Sequence, residues 1–175
     1  MNEKLTATRL DTYTRADQAG ILGDGPDPFG VDDAGLTWRS KDVHFGVRLD
    51  GRLVAHTGLL RMPVRVDGRE AEVVGVGGVA VAPEVRGRGL ARLVVGAALV
   101  HARTLGPEHA LLFCRAPLTG LYGRLGWREL GEDADVHVEQ PGERVVRMPL
   151  RTMVTPLREG ASWPAGPVRL LSLPM

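Results

Sequence analysis

Apolar and polar residues alternate through the first half of the chain and change to a helical period near residue 90. Lys4 to Leu10 alternates enough to predict a first strand, and Thr14 to Leu22 predicts a short helix. Gly23 to Gly35 is rich in Gly, Pro and Asp and predicts a loop, longer than a simple connector needs. Two hairpin cues follow. The runs Val43 to Leu49 and Arg52 to Leu60 flank Asp50-Gly51, and the runs Arg61 to Val66 and Arg69 to Val76 flank Asp67-Gly68. Asp-Gly between apolar runs marks a tight turn, because both central residues must tolerate positive φ. The middle of the chain is therefore expected to be an antiparallel meander.

The second half reads differently. Gly75 to Ala82 is extended and Pro83 ends it, after which Leu90 to Leu105 has a helical period with little polar face, as in a largely buried helix. Ala110 to Cys114 is a short continuous apolar run of the kind found in parallel pairings. Pro117 suits a first helical turn, and Leu118, Leu121, Tyr122 and Leu125 then recur at helical spacing. Gly126 stops that helix and Trp127 opens another strand. Arg144 to Leu150 predicts a last core strand, and residues 151–175, rich in proline, predict an irregular tail. Without an internal repeat or a linker, residues 1–175 read as one domain.

Composition narrows the class. A hydrophobic share of 43% and a charged share of 25% suit a folded globular chain and exclude a disordered or collagen-like one. The net charge of +1 argues against nucleic acid as the main partner. All but two of the 22 basic residues are Arg, the exceptions being Lys4 and Lys41. Cys114 is the sole cysteine, which excludes an internal disulfide and a cysteine metal cluster, and no His pair has ligand spacing, so no metal is expected. The sequence shows neither a signal-peptide pattern nor 18 consecutive apolar residues, so a cytoplasmic chain with no membrane partner is expected.

The most informative stretch is Val79-Ala-Val-Ala-Pro-Glu-Val-Arg-Gly-Arg-Gly-Leu-Ala91, which sets a strand, a glycine loop and a helix start in immediate succession. Gly87 and Gly89 allow the backbone to turn with positive φ and approach a ligand closely. The free N–H groups of Arg88, Gly89, Leu90 and Ala91 sit at the positive end of the helix, and Arg86 and Arg88 add charge for the same anion. No Gly-x-x-x-x-Gly-Lys run exists, so this is not a P-loop. Arg92 stands where a dinucleotide fingerprint needs its third Gly, and the preceding strands form a meander. What remains is Arg-x-x-Gly-x-Ala, filled by Arg86, Gly89 and Ala91.

This loop resembles the pyrophosphate loop of the GNAT superfamily of N-acetyltransferases. Leu121-Tyr-Gly-Arg-Leu-Gly-Trp127 is similar to the family's second signature, a helix bearing a Tyr followed by Gly and an aromatic. Within the superfamily, Leu53 to Leu60 and Ser162-Trp-Pro-Ala-Gly166 look like the aminoglycoside 2′-N-acetyltransferases and the nodulation N-acyltransferases. The resemblance implies an α/β (α+β) fold with a mixed, mostly antiparallel central sheet, a splayed parallel pair and flanking helices. It implies acetyl-CoA or another acyl-CoA as co-substrate, held by Val79, Ala80, Val81, Arg86, Gly87, Arg88, Gly89, Leu90 and Ala91. It makes Tyr122 the proton donor to the leaving thiolate, and an N–H near Gly78 or Val79 the group that polarises the carbonyl.

The acceptor side is less defined by sequence. The strand position where the aminoglycoside relatives carry an acidic residue is Gly77, so the base is sought among His56, Glu72, the Asp32–Asp33 loop and water. Asp32, Asp33, Gly77, Gly78 and Trp163 are the expected acceptor-binding residues. The expected reaction is transfer of an acyl group, most simply acetyl, to a primary amine of a small polar molecule such as an aminosugar. A peptide or protein amine is another acceptor choice, and an acyl-CoA-binding sensor with a degenerate acceptor site is the other function class. A homodimer is left open.

Overall fold

The computed structural model describes residues 4–175, so the first three residues of the expected domain lie outside the described residues. Strand β1 (Ala7–Leu10) is followed by helix α1 (Arg15–Leu22). Thr14 caps that helix reciprocally with Asp17: the Asp17 N–H donates to Thr14 Oγ1 at 3.2 Å and the Thr14 N–H donates to Asp17 Oδ2 at 2.7 Å. Five runs expected from the sequence then merge into three strands, β2 (Val43–Leu49), β3 (Arg52–Val66) and β4 (Arg69–Val81). The Asp-Gly turns fall where expected, with Asp50, Gly51, Asp67 and Gly68 all at positive φ. Pro63 does not divide β3. It lies opposite Glu72 within an unbroken ladder.

Helix α2 (Leu90–Ala102) ends three residues earlier than its apolar period suggests. Leu90, Val94, Val95, Ala98, Leu99 and Ala102 face the core, but Val100 is 64% exposed, so the helix is not buried all round. Strand β5 (His109–Cys114), helix α3 (Thr119–Arg124) and strand β6 (Arg128–Glu129) follow as the sequence indicates.

The C-terminal third departs from expectation in two places. The strand lying beside β5 is β9 (Arg151–Pro156), antiparallel to it along its full length. Arg144–Arg147 instead forms β8, the outer partner of β7 (His137–Gln140), and is largely exposed. The predicted last core strand is thus a sheet edge. Nor are residues 151–175 an irregular tail: after β9, Val168–Leu170 forms β10, antiparallel to β3 on one side and parallel to β7 on the other. The alternation misleads here because Val145 and Val146 suit a half-exposed strand as well as a core one.

The sheet runs β6-β9-β5-β4-β3-β10-β7-β8, with β2 and then β1 added to the first half of β3. It is mixed and mostly antiparallel, with helices packed on it, as the resemblance implies. Helix α2 covers Val74 and Val76 on one face, while Met62, Val73, Leu170 and Met175 pack on the other. Strands β4 and β5 are parallel but pair only at Val74↔Ala110 and Gly75↔Leu111. Beyond Gly75 they part, and that gap positions the site.

Candidate active site

A cleft of about 640 Å³ opens where β4 and β5 diverge. Val76, Gly77, Gly78 and Val79 form one wall, Leu112, Phe113, Cys114 and Tyr122 the other, and the loop Asp27–Asp32 with Trp38 to Lys41 roofs it. The loop holds its shape through Asp27, whose carboxylate accepts the Val31 N–H at 2.9 Å and the Asp32 N–H at 3.1 Å. Those two amides keep the Asp27 carboxyl below the usual carboxylate range. Arg115 lies under Gly30, close enough that a Cβ there would meet Nη1 at 3.3 Å. Its guanidinium joins the loop to the end of β5.

The wall of β4 is bulged. Gly77 pairs with Gly58 and Ala80 with His56, so Gly78 and Val79 face Thr57 alone, and Gly78 takes φ +63. Two side chains of β3 hold the bulge: Thr57 Oγ1 donates to the Gly77 carbonyl at 3.0 Å and His56 Nδ1 donates to the Gly78 carbonyl at 2.8 Å. A carbonyl cannot donate, so Nδ1 of the neutral ring carries the proton and Nε2 accepts from His44 Nδ1 at 2.9 Å. A trans peptide points its N–H opposite its C=O. The Val79 N–H therefore points away from the His56 ring, on the side where Gly78 and Val79 line the cleft.

His56 itself is 2% exposed, stacks on Tyr13 with ring centroids 3.5 Å apart, and does not line the cleft. Burial pushes its pKa down to about 3, and the His44 and Lys41 charges push the same way. With both nitrogens engaged it has no free lone pair to offer. Its expected role as a base is not met by this geometry.

Tyr122, from α3, is 6% exposed and lines the cleft opposite Gly77 to Val79. Burial, with the neighbouring Cys114, raises its hydroxyl pKa and keeps it protonated. The Trp127 ring packs edge-on against it, and the Trp127 backbone N–H donates to the Tyr122 carbonyl at 3.0 Å. Burial also pushes the Cys114 thiol up to about 11, which suits an inert wall residue.

Beyond Val79 and Val81 the chain turns through Pro83–Val85 into the glycine loop. Gly87 and Gly89 have φ of +80 and +77, and a Cβ on either would meet nothing within 4 Å. Gly89 caps α2 without any side-chain bond, so the first-turn N–H groups of Leu90, Ala91 and Arg92 are left for another acceptor. Arg86 Nε donates to the Val81 carbonyl at 3.3 Å, tying loop to strand, and Arg88 is exposed.

Other expected residues lie elsewhere. Glu72 is five strand positions from Gly77, roughly 16 Å along β4, is exposed, and sits 3.9 Å from Arg61. Trp163 packs edge-on against His109 in a separate groove that Glu72 also lines. Neither joins the cleft. Asp32 lines it, whereas Asp33 is exposed on the same turn and does not. Sequence reasoning missed Lys41, Arg115 and the His44–His56 pair. A lone lysine beside a predicted strand in an arginine-rich chain was the available signal for the first.

A sequence model of the acetyltransferase (GNAT) domain matches residues 36–130. The chain belongs to the GNAT acetyltransferase family. Its fold is also that of a GNAT family N-acetyltransferase from Escherichia coli in complex with CoA, at 21% identity and TM-score 0.59, covering 98% of this chain and 93% of that one. A GNAT family acetyltransferase from Brucella melitensis in complex with acetyl-CoA matches at 17% identity and TM-score 0.55, with 94% of each chain covered. An N-acetylglutamate synthase from Neisseria gonorrhoeae, complexed with CoA and N-acetyl-glutamate, matches at 15% identity and TM-score 0.59 over 91% of this chain but 36% of its own. No curated protein matches the chain. Among the described residues, no cluster of His, Cys, Asp or Glu could hold a metal ion and no helix is long and apolar enough to cross a membrane.

Proposed function

We propose that this GNAT domain transfers an acyl group, most simply acetyl, from acyl-CoA to a primary amine of a small polar acceptor. The observation that carries the reading is the gap between β4 and β5, with the open glycine loop at one end and Tyr122 facing Gly77 to Val79 at the other. The residues present fit the co-substrate. First-turn amides of α2 with Arg86 and Arg88 suit its pyrophosphate, and the backbone edge of Val79 to Val81, which β5 leaves unpaired, suits the amides of its pantetheine arm. Once bound, it supplies an activated acyl thioester.

The chain's own groups then divide the work. The Val79 N–H faces the cleft and favours negative charge on the reacting carbonyl oxygen. His56 and Thr57 act as positioning residues, because they fix the carbonyls that set the direction of that amide. Tyr122, held protonated, donates to the departing sulfur.

The acceptor class follows from size and charge. A cleft of about 640 Å³ admits a sugar-sized amine. Its lining carries Arg15, Arg39 and Arg115 against Asp27 and Asp32, which opposes a polycation and favours an aminosugar with one amine over a polyamino one. Calorimetry with CoA, followed by thiol release from acetyl-CoA across a panel of amines, tests the reading. CoA binding and release with a monoamino sugar are expected. Failure to bind CoA would overturn it.

A further inference from the structure

Gly77 leaves the cleft without a side-chain base on β4, yet the space in front of it is filled. A Cβ on Gly77 would stand 3.0 Å from Lys41 Cε and 3.5 Å from Nζ. On Gly78 it would stand 3.8 Å from Cε. The stem of the same lysine passes over Gly58, where a Cβ would lie 2.8 Å from both Lys41 Cβ and Cγ. Gly58 and Gly77 are direct partners across β3 and β4. Two adjacent strands thus omit side chains at one rung, and Lys41 threads through the slot with its amine in the cleft.

Among the described residues that amine has no ion-pair partner. Arg39 and Asp42 flank it on its own segment; His44 and His56 face it from β2 and β3. Across the cleft stand Arg15, Asp27, Asp32, Cys114, Arg115 and Tyr122. None of the carboxylates lies within ion-pair distance of Lys41 among the described residues, and both histidines are shifted toward the neutral form. Burial lowers the Lys41 pKa, with no charge or hydrogen bond opposing it.

We propose that Lys41 is the general base of the transfer, its Nζ taking the proton that the acceptor ammonium must lose before it attacks. This rests on the acyltransfer reading above. Lys41 Nζ accepts one proton from the acceptor nitrogen and passes it to solvent. The freed amine forms the C–N bond as the C–S bond breaks, its electron pair leaving on sulfur. Tyr122 protonates that sulfur and is restored by the second proton the nitrogen sheds on becoming an amide. The requirement selects acceptors whose amine is protonated at neutral pH.

The chain contains only two lysines, so protein grown with 13C-lysine gives two side-chain titrations, with exposed Lys4 as internal reference. We expect Lys41 to titrate below Lys4. Titration of the two together overturns the proposal, and this measurement needs no acceptor. In turnover assays Lys41→Met and Lys41→Arg should each lose roughly 10²-fold or more with an aminosugar. With hydroxylamine, already neutral at pH 7, the loss should be less than about fivefold, because no base is needed. A Lys41→Arg enzyme at the wild-type rate would overturn the proposal in favour of a charge that merely anchors the acceptor. CoA affinity should stay unchanged in both variants; absence of CoA binding in the unmodified protein would strike the acyltransfer reading instead.

Discussion

The Nδ1–H of His56 donates to the Gly78 carbonyl at 2.8 Å, and that single bond decides which way the next amide faces. The ring is clamped in turn by His44 at 2.9 Å and by the stacked ring of Tyr13. All of this depends on neutral imidazoles. His56 has its pKa pushed from 6.5 down to about 3, so the unfolded chain takes up a proton below pH 6.5 that the folded chain refuses. Stability should therefore fall as pH drops from about 6.5 toward 3, by up to about 1.4 kcal/mol per pH unit from His56. His44 and His109, also lowered by burial, act in the same direction. Urea unfolding at pH 7.5 and pH 5 checks this, and His56→Gln should flatten the difference. An unchanged slope in that variant would show that the ring protonates freely in the fold.

The glycine loop gives a sharper test. Gly89 has φ +77, and a β-branched side chain there is strained and projects into the open space before α2. Gly89→Val should weaken CoA binding at least about tenfold, each factor of ten being about 1.4 kcal/mol. Calorimetry reads it directly, and equal affinity in the variant would remove the phosphate assignment.

Tyr122→Phe keeps the ring packed on Trp127 and removes only the hydroxyl. Turnover should fall by about 10² while CoA affinity stays within twofold, since general-acid help is commonly ~10²- to 10⁴-fold. A variant with the wild-type kcat would make Tyr122 a wall residue only.

Gly77→Glu separates two ideas about the acceptor end. A carboxylate on β4 would repair the missing acidic residue but would also stand against Lys41 Nζ. An opposite charge at contact raises a lysine pKa. Transfer at pH 7 should therefore slow, and the rate should recover as pH rises. Faster transfer at pH 7 would mean that a carboxylate serves this cleft better than the amine does.

What the sequence made legible was local. Asp50-Gly51, Asp67-Gly68 and Arg86-Gly-Arg-Gly-Leu-Ala91 each encode a turn within a few residues, and all three behave as read. Features created by register were hidden. Five runs became three strands because Pro63 and Gly75 sit within continuous ladders. His44 and His56 meet only as diagonal neighbours, through the pairings His44↔Gly58 and Gly46↔His56. The Lys41 slot needs Gly58 and Gly77 on one rung, which composition cannot announce. Glu72 and Trp163 drew attention by chemistry, and the strand geometry put both in another groove.

Strand β10 joins what translation makes far apart. Residues 168–170 lie between β3 and β7, and among the described residues no other strand links the β7–β8 ladder to the rest of the sheet. The Val64–Val66 edge must therefore wait about a hundred residues of synthesis for its partner, roughly 5 to 20 s at ordinary elongation rates. Until then it is an unpaired apolar edge of the sort that recruits foreign strands. The nascent chain can close the α2 side of the sheet early, but the order of the other side is set by the ribosome. Its yield in the cell should therefore track elongation speed and chaperone supply more closely than the stability of the finished sheet.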